Sequence, residues 1–129
     1  MKKILLFIGI GILFATTIFL CSMKKEYPIK MPNPTEIKSI HIITKETSKE
    51  KTDEEWIREL VKQIGNSTPT KKQSVSDMPN VSDYIQINFE YKTGGESSLY
   101  FYDENSITYI EQPYQGIYFA NTKAIKMLK

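Results

Sequence analysis

The run Ile4–Met23, ILLFIGIGILFATTIFLCSM, contains no charged side chain, and nothing else in the sequence restricts the fold as much. At about 1.5 Å of rise per residue, a helix of that length covers the roughly 30 Å hydrocarbon core of a bilayer. The run is therefore read as an uncleaved membrane anchor at the cell membrane, through residues 4–23. Two other readings are weaker. A cleaved secretory signal would have a shorter apolar core; FATT at 14–17 offers small residues for a cut, but apolar residues resume at Ile18–Leu20. A lipoprotein signal would set a small residue directly before the modified cysteine, whereas Cys21 follows Ile18, Phe19 and Leu20. Lys2 and Lys3 precede the run and Lys24 and Lys25 follow it, so flanking charge barely orients it. The free amino terminus tips the balance toward an inside N-terminus, with the remaining chain extracytoplasmic.

Those four lysines also explain the formal net charge of +2. Without them, residues 26–129 carry 13 basic and 15 acidic side chains, a net of −2. A domain that is slightly acidic once its membrane flanks are removed has no electrostatic footprint for nucleic acid, which is excluded as a partner. Cys21 is the only cysteine, so the remainder forms no internal disulfide, which fits a bacterial surface better than a disulfide-dense secreted scaffold.

Residues 1–25 thus form an anchor or signal segment and residues 26–34, with Pro28, Pro32 and Pro34, a semi-rigid spacer. Residues 35–129 form one small α+β domain. EIKSIHIITKE at 36–46 alternates Ile40 and Ile42 against Ser39 and His41, as a strand does. Thr52 and Glu55 have capping-box spacing ahead of Trp56, Ile57, Leu60, Val61 and Ile64, an amphipathic helix closed by Gly65. YIQINFEYK at 84–92 alternates again and predicts one buried and one wet face. TGGE turns it into SSLYFYD, and DENS leads into ITYIEQPY, which makes an antiparallel meander. NTKAIKMLK predicts a short terminal helix, and KKQSV within the irregular 66–83 stretch could add an edge strand. One main helix packed on an antiparallel meander sheet, preceded by a transmembrane helix, is the fold expected.

Chemistry is scarce. His41 is the only histidine and sits on the polar side of a strand, where a solvent-facing role accounts for it. The serines lack the strained nucleophile turn. Asp53, Glu54 and Glu55 open a helix and complement its dipole. With soft ligands absent, no metal site and no cofactor are expected. Asp77 and Glu111 would serve glycoside chemistry only if the fold set them about 5–10 Å apart. The tyrosine-rich stretch YIEQPYQGIYFAN at 109–121 offers more: Tyr109, Tyr114 and Tyr118 around Glu111, Pro113 and Gly116. Either it is an edge strand leaving the sheet, or its tyrosines form a recognition surface.

PTKKQSVSDMP after the helix and YIEQPYQGIY near the end, behind an anchor and a Pro-rich spacer, resemble a family of small membrane-anchored or secreted proteins of Gram-positive bacteria, classed as a domain of unknown function. The resemblance spans most of residues 30–129. The runs S-V-x-D-x-P and E-x-P-Y-x-G-I-Y carry it, and they mark Ser74, Asp77, Pro79, Glu111, Pro113, Tyr114, Gly116 and Tyr118. It implies localisation and brings no activity or cofactor. The sequence is therefore read as a non-catalytic binding or interaction module at the cell surface, with a protein or surface ligand engaged through Ser74, Asp77, Tyr109, Glu111, Pro113, Tyr114, Gly116 and Tyr118. An inhibitor of a protease or other enzyme is the alternative, and a small hydrolase the weaker third.

Overall fold

The computed structural model describes residues 26–129; the expected membrane segment lies outside the described residues. Among these, no helix is long and apolar enough to cross a membrane.

A single 3-10 turn, Pro34–Glu36, leads into β1 (Ile37–Ile43), β2 (Ser48–Lys51), α1 (Glu54–Gly65), β3 (Thr68–Lys72), β4 (Ile85–Tyr91), β5 (Glu96–Glu104), β6 (Ile107–Gln112), β7 (Gly116–Phe119) and α2 (Thr122–Leu128). The strands form one antiparallel sheet in the order β2-β1-β4-β5-β6-β7-β3. Side chains alternate between its faces. Ile40, Ile42, Ile87, Phe89, Leu99, Phe101, Ile110 and Tyr118 point to one face, where Ile57, Leu60, Val61 and Ile64 of α1 and Ala124 of α2 complete the core. Each of those α1 side chains contributes roughly 1.5–3 kcal/mol through burial, so the stripe stabilises the helix far more than propensity does.

The α+β expectation holds, with more strands than anticipated. The polar run before α1 forms a hairpin with β1, pairing His41 with Glu50 and Ile43 with Ser48. Asp53, rather than Thr52, caps α1, accepting a hydrogen bond from the Trp56 amide at 2.7 Å. The edge strand falls at Thr68–Lys72 instead of 71–75, and Pro69 is tolerated there because β3 pairs on one side only, with β7. The tyrosine-rich stretch does not leave the sheet. Pro113–Gln115 turns the chain, and β7 returns antiparallel to β6, with Glu111 opposite Ile117 and Ile110 opposite Tyr118.

The tight turns follow from local chemistry. Gly94 and Gly95 take φ of 93° and 82° in the β4–β5 hairpin. Asn105 and Ser106 take 52° and 63° between Glu104 and Ile107, the two-residue loop whose twist suits antiparallel strands.

The second face of the sheet is not wet throughout, as alternation alone implied. The connection 73–84 runs from the edge strand β3 back to the interior strand β4 across that face. Within it Ser74 and Pro79 are buried, and Ser39, Asn88 and Glu111 are buried on the sheet.

Candidate functional site

Strand alternation separates the three tyrosines expected to form one patch. Tyr109 lies on the face crossed by 73–84, its ring between those of Tyr102 and Phe119 with centroids 5.8 and 5.6 Å away. Tyr118, an odd number of positions further round the hairpin, is fully buried in the core. Its hydroxyl finds no hydrogen-bond partner among the described residues, and burial pushes it up to about 12. Gly116 makes room for that ring: a Cβ there would sit 2.7 Å from the Tyr118 hydroxyl and 3.0 Å from Cζ. Tyr114 alone stands out into solvent, 61% exposed at the turn, with φ of 58°.

The remaining marked residues clasp the crossing segment to the sheet. The Ser74 hydroxyl donates to Glu111 Oε1 at 2.6 Å, with both residues buried. Asp77 lies beside Tyr114, and its carboxylate, as hydrogen-bond partner and as charge, raises the tyrosine hydroxyl. The Tyr84 ring stands edge-on to Tyr100, centroids 5.3 Å apart. Tyr100 is raised first by burial and then by Tyr84, Asp77 and Glu111 close by. The two sequence runs around Ser74 and Glu111 are therefore partners in space. Pro113, half-buried, starts the turn that sets Tyr114 against Asp77. Asp77 is exposed, whereas Glu111 is closed off under Ser74.

The same turn grips the Pro-rich run. Gln112 accepts from the Lys30 amide at 2.8 Å and donates to the Lys30 carbonyl at 2.7 Å. Gln115 donates to the Pro28 carbonyl at 2.9 Å, and Ile29 and Met31 pack against the core. Sequence reasoning missed both glutamines. Their partners lie 82 and 87 residues away, and no local spacing reports such a bond.

At the other flank, Ser39, His41 and Glu90 supply the residue types of a nucleophilic triad without its wiring. Ser39 Oγ and Glu90 Oε2 both lie 3.2 Å from the same imidazole nitrogen, Nε2, and the serine hydroxyl donates to Glu90 at 2.9 Å. A triad needs the two partners on opposite ring nitrogens and a serine open to substrate, whereas Ser39 is wholly buried. Lys38 closes the other Glu90 oxygen at 2.8 Å. Hydrogen bonds from Lys38, His41 and Ser39 hold the Glu90 carboxyl down at about 2.

A cleft of about 390 Å³ opens between the sheet end and α2, lined by Ile85, Phe101, Ile125 and Leu128, with Tyr84 and Tyr102. None of the eight residues expected to bind lines it. On its polar rim, Lys45 is paired to Asp83 and Thr108 donates to Asp103.

Residues 25–119 match the model of DUF5301, a domain of unknown function. The chain belongs to this family. A solved relative, the NMR structure of a protein from Ruminococcus gnavus, is 33% identical, with a TM-score of 0.67 over 77% of this chain and 97% of that one. No curated protein matches. The match supplies a family and a fold, and the residues of the two sequence runs divide into those that pin the crossing segment and those that pack the final hairpin.

Proposed function

We propose that this DUF5301 protein is a non-catalytic binding module, held at the outer face of the cell membrane by residues 4–23, and that it engages a protein partner through the crossing segment and the Tyr114 turn. One observation carries the reading. Val75, Met78 and Tyr114 are 77%, 52% and 61% exposed, yet the backbone that presents them is pinned by buried Ser74 and Pro79 and by Asp77 beside Tyr114. Large apolar side chains fixed in place before binding lose little conformational freedom on contact, which is what a recognition surface requires.

Position supports the same reading. Residues 28–30 are held by the 112–115 turn, so an anchor preceding them leaves the domain beside Tyr114. The surface then lies close to the membrane, within reach of another membrane-bound or surface protein. The same pinned segment favours a second reading as an inhibitor, with Val75 displayed between two fixed points for an enzyme's cleft.

The test is cross-linked capture from intact cells carrying the full-length chain. A Val75→Ser, Met78→Ser double variant and a Tyr114→Asn variant, the latter tolerant of positive φ, should each lose a specific partner by about tenfold or more. Ile125→Ser, in the cleft at the opposite end of β6, should retain it. Undiminished capture by the first two variants, or loss with Ile125→Ser alone, would remove the crossing segment as the binding surface. A captured hydrolytic enzyme that is inhibited by the wild-type chain selects the second reading.

A further inference from the structure

We propose that the corner formed by β1, β2 and β4 is a divalent transition-metal site of the zinc class, with His41 Nε2, Glu50 and Glu90 as its protein ligands. The three ligand atoms lie within 4.8 Å of one another. Pairing in the sheet brings them together: His41 is opposite Glu50 on β2 and opposite Asn88 on β4, and Glu90 lies two positions along on the same face. His41 Nε2 is 3.2 Å from Glu90 Oε2 and 3.9 Å from Glu50 Oε1.

Zinc bonds of about 2.0–2.2 Å at tetrahedral angles set neighbouring ligands roughly 3.3–3.5 Å apart. The Glu90–His41 distance is close to that spacing, and Glu50, an exposed side chain, has to draw in from 3.9 Å to His41 and from within 4.8 Å of Glu90. One imidazole with two carboxylates suits zinc or a neighbouring first-row ion better than calcium or magnesium, which favour all-oxygen shells.

The surroundings aim the ligands. Ser39, wholly buried, donates to Glu90 Oε2, the sort of outer support that fixes a ligand's orientation, while its contact with His41 Nε2 is one the metal would replace. Lys38 holds Glu90 Oε1, so Oε2 is the oxygen left facing the imidazole. Lys38 also opposes a cation, which limits affinity and gives the proposal a distinctive test. Three protein ligands leave a coordination position for water or for a donor from a partner.

Zinc is titrated into the untagged full-length chain in detergent, followed by calorimetry and by the ring nitrogen signals of the only histidine. The expected result is saturation at one equivalent, with a shift at His41 Nε2. Glu50→Gln and His41→Asn should each weaken binding by about tenfold or more, Lys38→Met should tighten it severalfold, and Cys21→Ser should leave it unchanged. Far-UV circular dichroism confirms that the variants are folded, and Glu50 is exposed enough for its substitution to leave the core intact. No saturable binding, equal affinity in His41→Asn, weaker affinity in Lys38→Met, or loss with Cys21→Ser would each overturn the assignment.

Discussion

The two flanks of the sheet handle polar side chains in opposite ways. At the β6–β7–β3 flank, polar groups are buried with one partner or none among the described residues: Glu111 has the Ser74 hydroxyl, and the Tyr118 hydroxyl has nothing. At the β2–β1–β4 flank, Glu90 has Lys38, Ser39 and His41 around a carboxylate that stays about one-third exposed. A buried group with one partner pays its full desolvation cost when that partner goes, whereas an exposed group with three falls back on the others and on water. The first flank is built to fix a segment in place, and the second keeps titratable groups together at the surface.

The largest effect should come from the buried bond. Ser74→Ala strips the hydroxyl from a buried carboxylate, and hydrogen bonds to charged groups are worth about 1.5–3 kcal/mol. Urea denaturation should show a loss of that order, and amide exchange in 73–84 should accelerate with it. If exchange there stays slow, the clasp is not what holds the segment down. Next comes Gly116→Ala. Its new Cβ meets the Tyr118 hydroxyl at 2.7 Å, and overpacking of this kind costs about 1–3 kcal/mol. Tyr118→Phe removes the hydroxyl, so the pair should be less destabilised than the sum of the single changes. Strict additivity would show that the Tyr118 hydroxyl does not set the need for glycine.

Tyr118 also predicts an alkaline weakness in this flank. Burial raises its hydroxyl to about 12, and that of Tyr102 to about 12 as well, by burial first and then by the nearby Glu111 charge; unfolded tyrosine titrates near about 10. The fold therefore prefers the neutral forms. Their contribution is complete below pH about 10 and is lost as pH rises toward about 12, because the unfolded chain releases these protons first. Stability measured across that window should fall, and Tyr118→Phe should flatten the fall. An unchanged slope in the variant would place the alkaline loss elsewhere.

How much of this was legible in the sequence depends on the range of the interactions concerned. The helix stripe Ile57, Leu60, Val61 and Ile64 and the alternation of Ile85, Ile87 and Phe89 are local periodicities, and the structure follows them. The Ser48–Lys51 strand left no apolar pattern, because β2 is an exposed edge whose four residues all face water. In the final hairpin, composition suggests one surface for Tyr109, Tyr114 and Tyr118, and the structure separates them. The turn at 113–115 decides which face each tyrosine takes, and Pro113 and Gly116 by themselves suggest equally a strand leaving the sheet. Ser74 with Glu111, and Glu90 with His41 and Glu50, are long-range pairs that strand register creates, and a single sequence does not contain the register.

The smallest effect belongs to the open flank. Lys38 and Glu90 form an ion pair at 2.8 Å, but the lysine side chain is 61% exposed, and exposed pairs give back in side-chain entropy and screening most of what they gain. Lys38→Met should leave the urea midpoint unchanged within the precision of the measurement, in low salt and in high salt alike. Ser39 and His41 continue to hold Glu90 Oε2 after the lysine is gone, so the carboxylate keeps its place. A clear drop in stability, especially one that salt abolishes, would mean that Lys38 anchors this corner instead of merely closing one oxygen of it. The contrast between a flank held by single buried bonds and a flank held by redundant exposed ones would then fail at its weaker side.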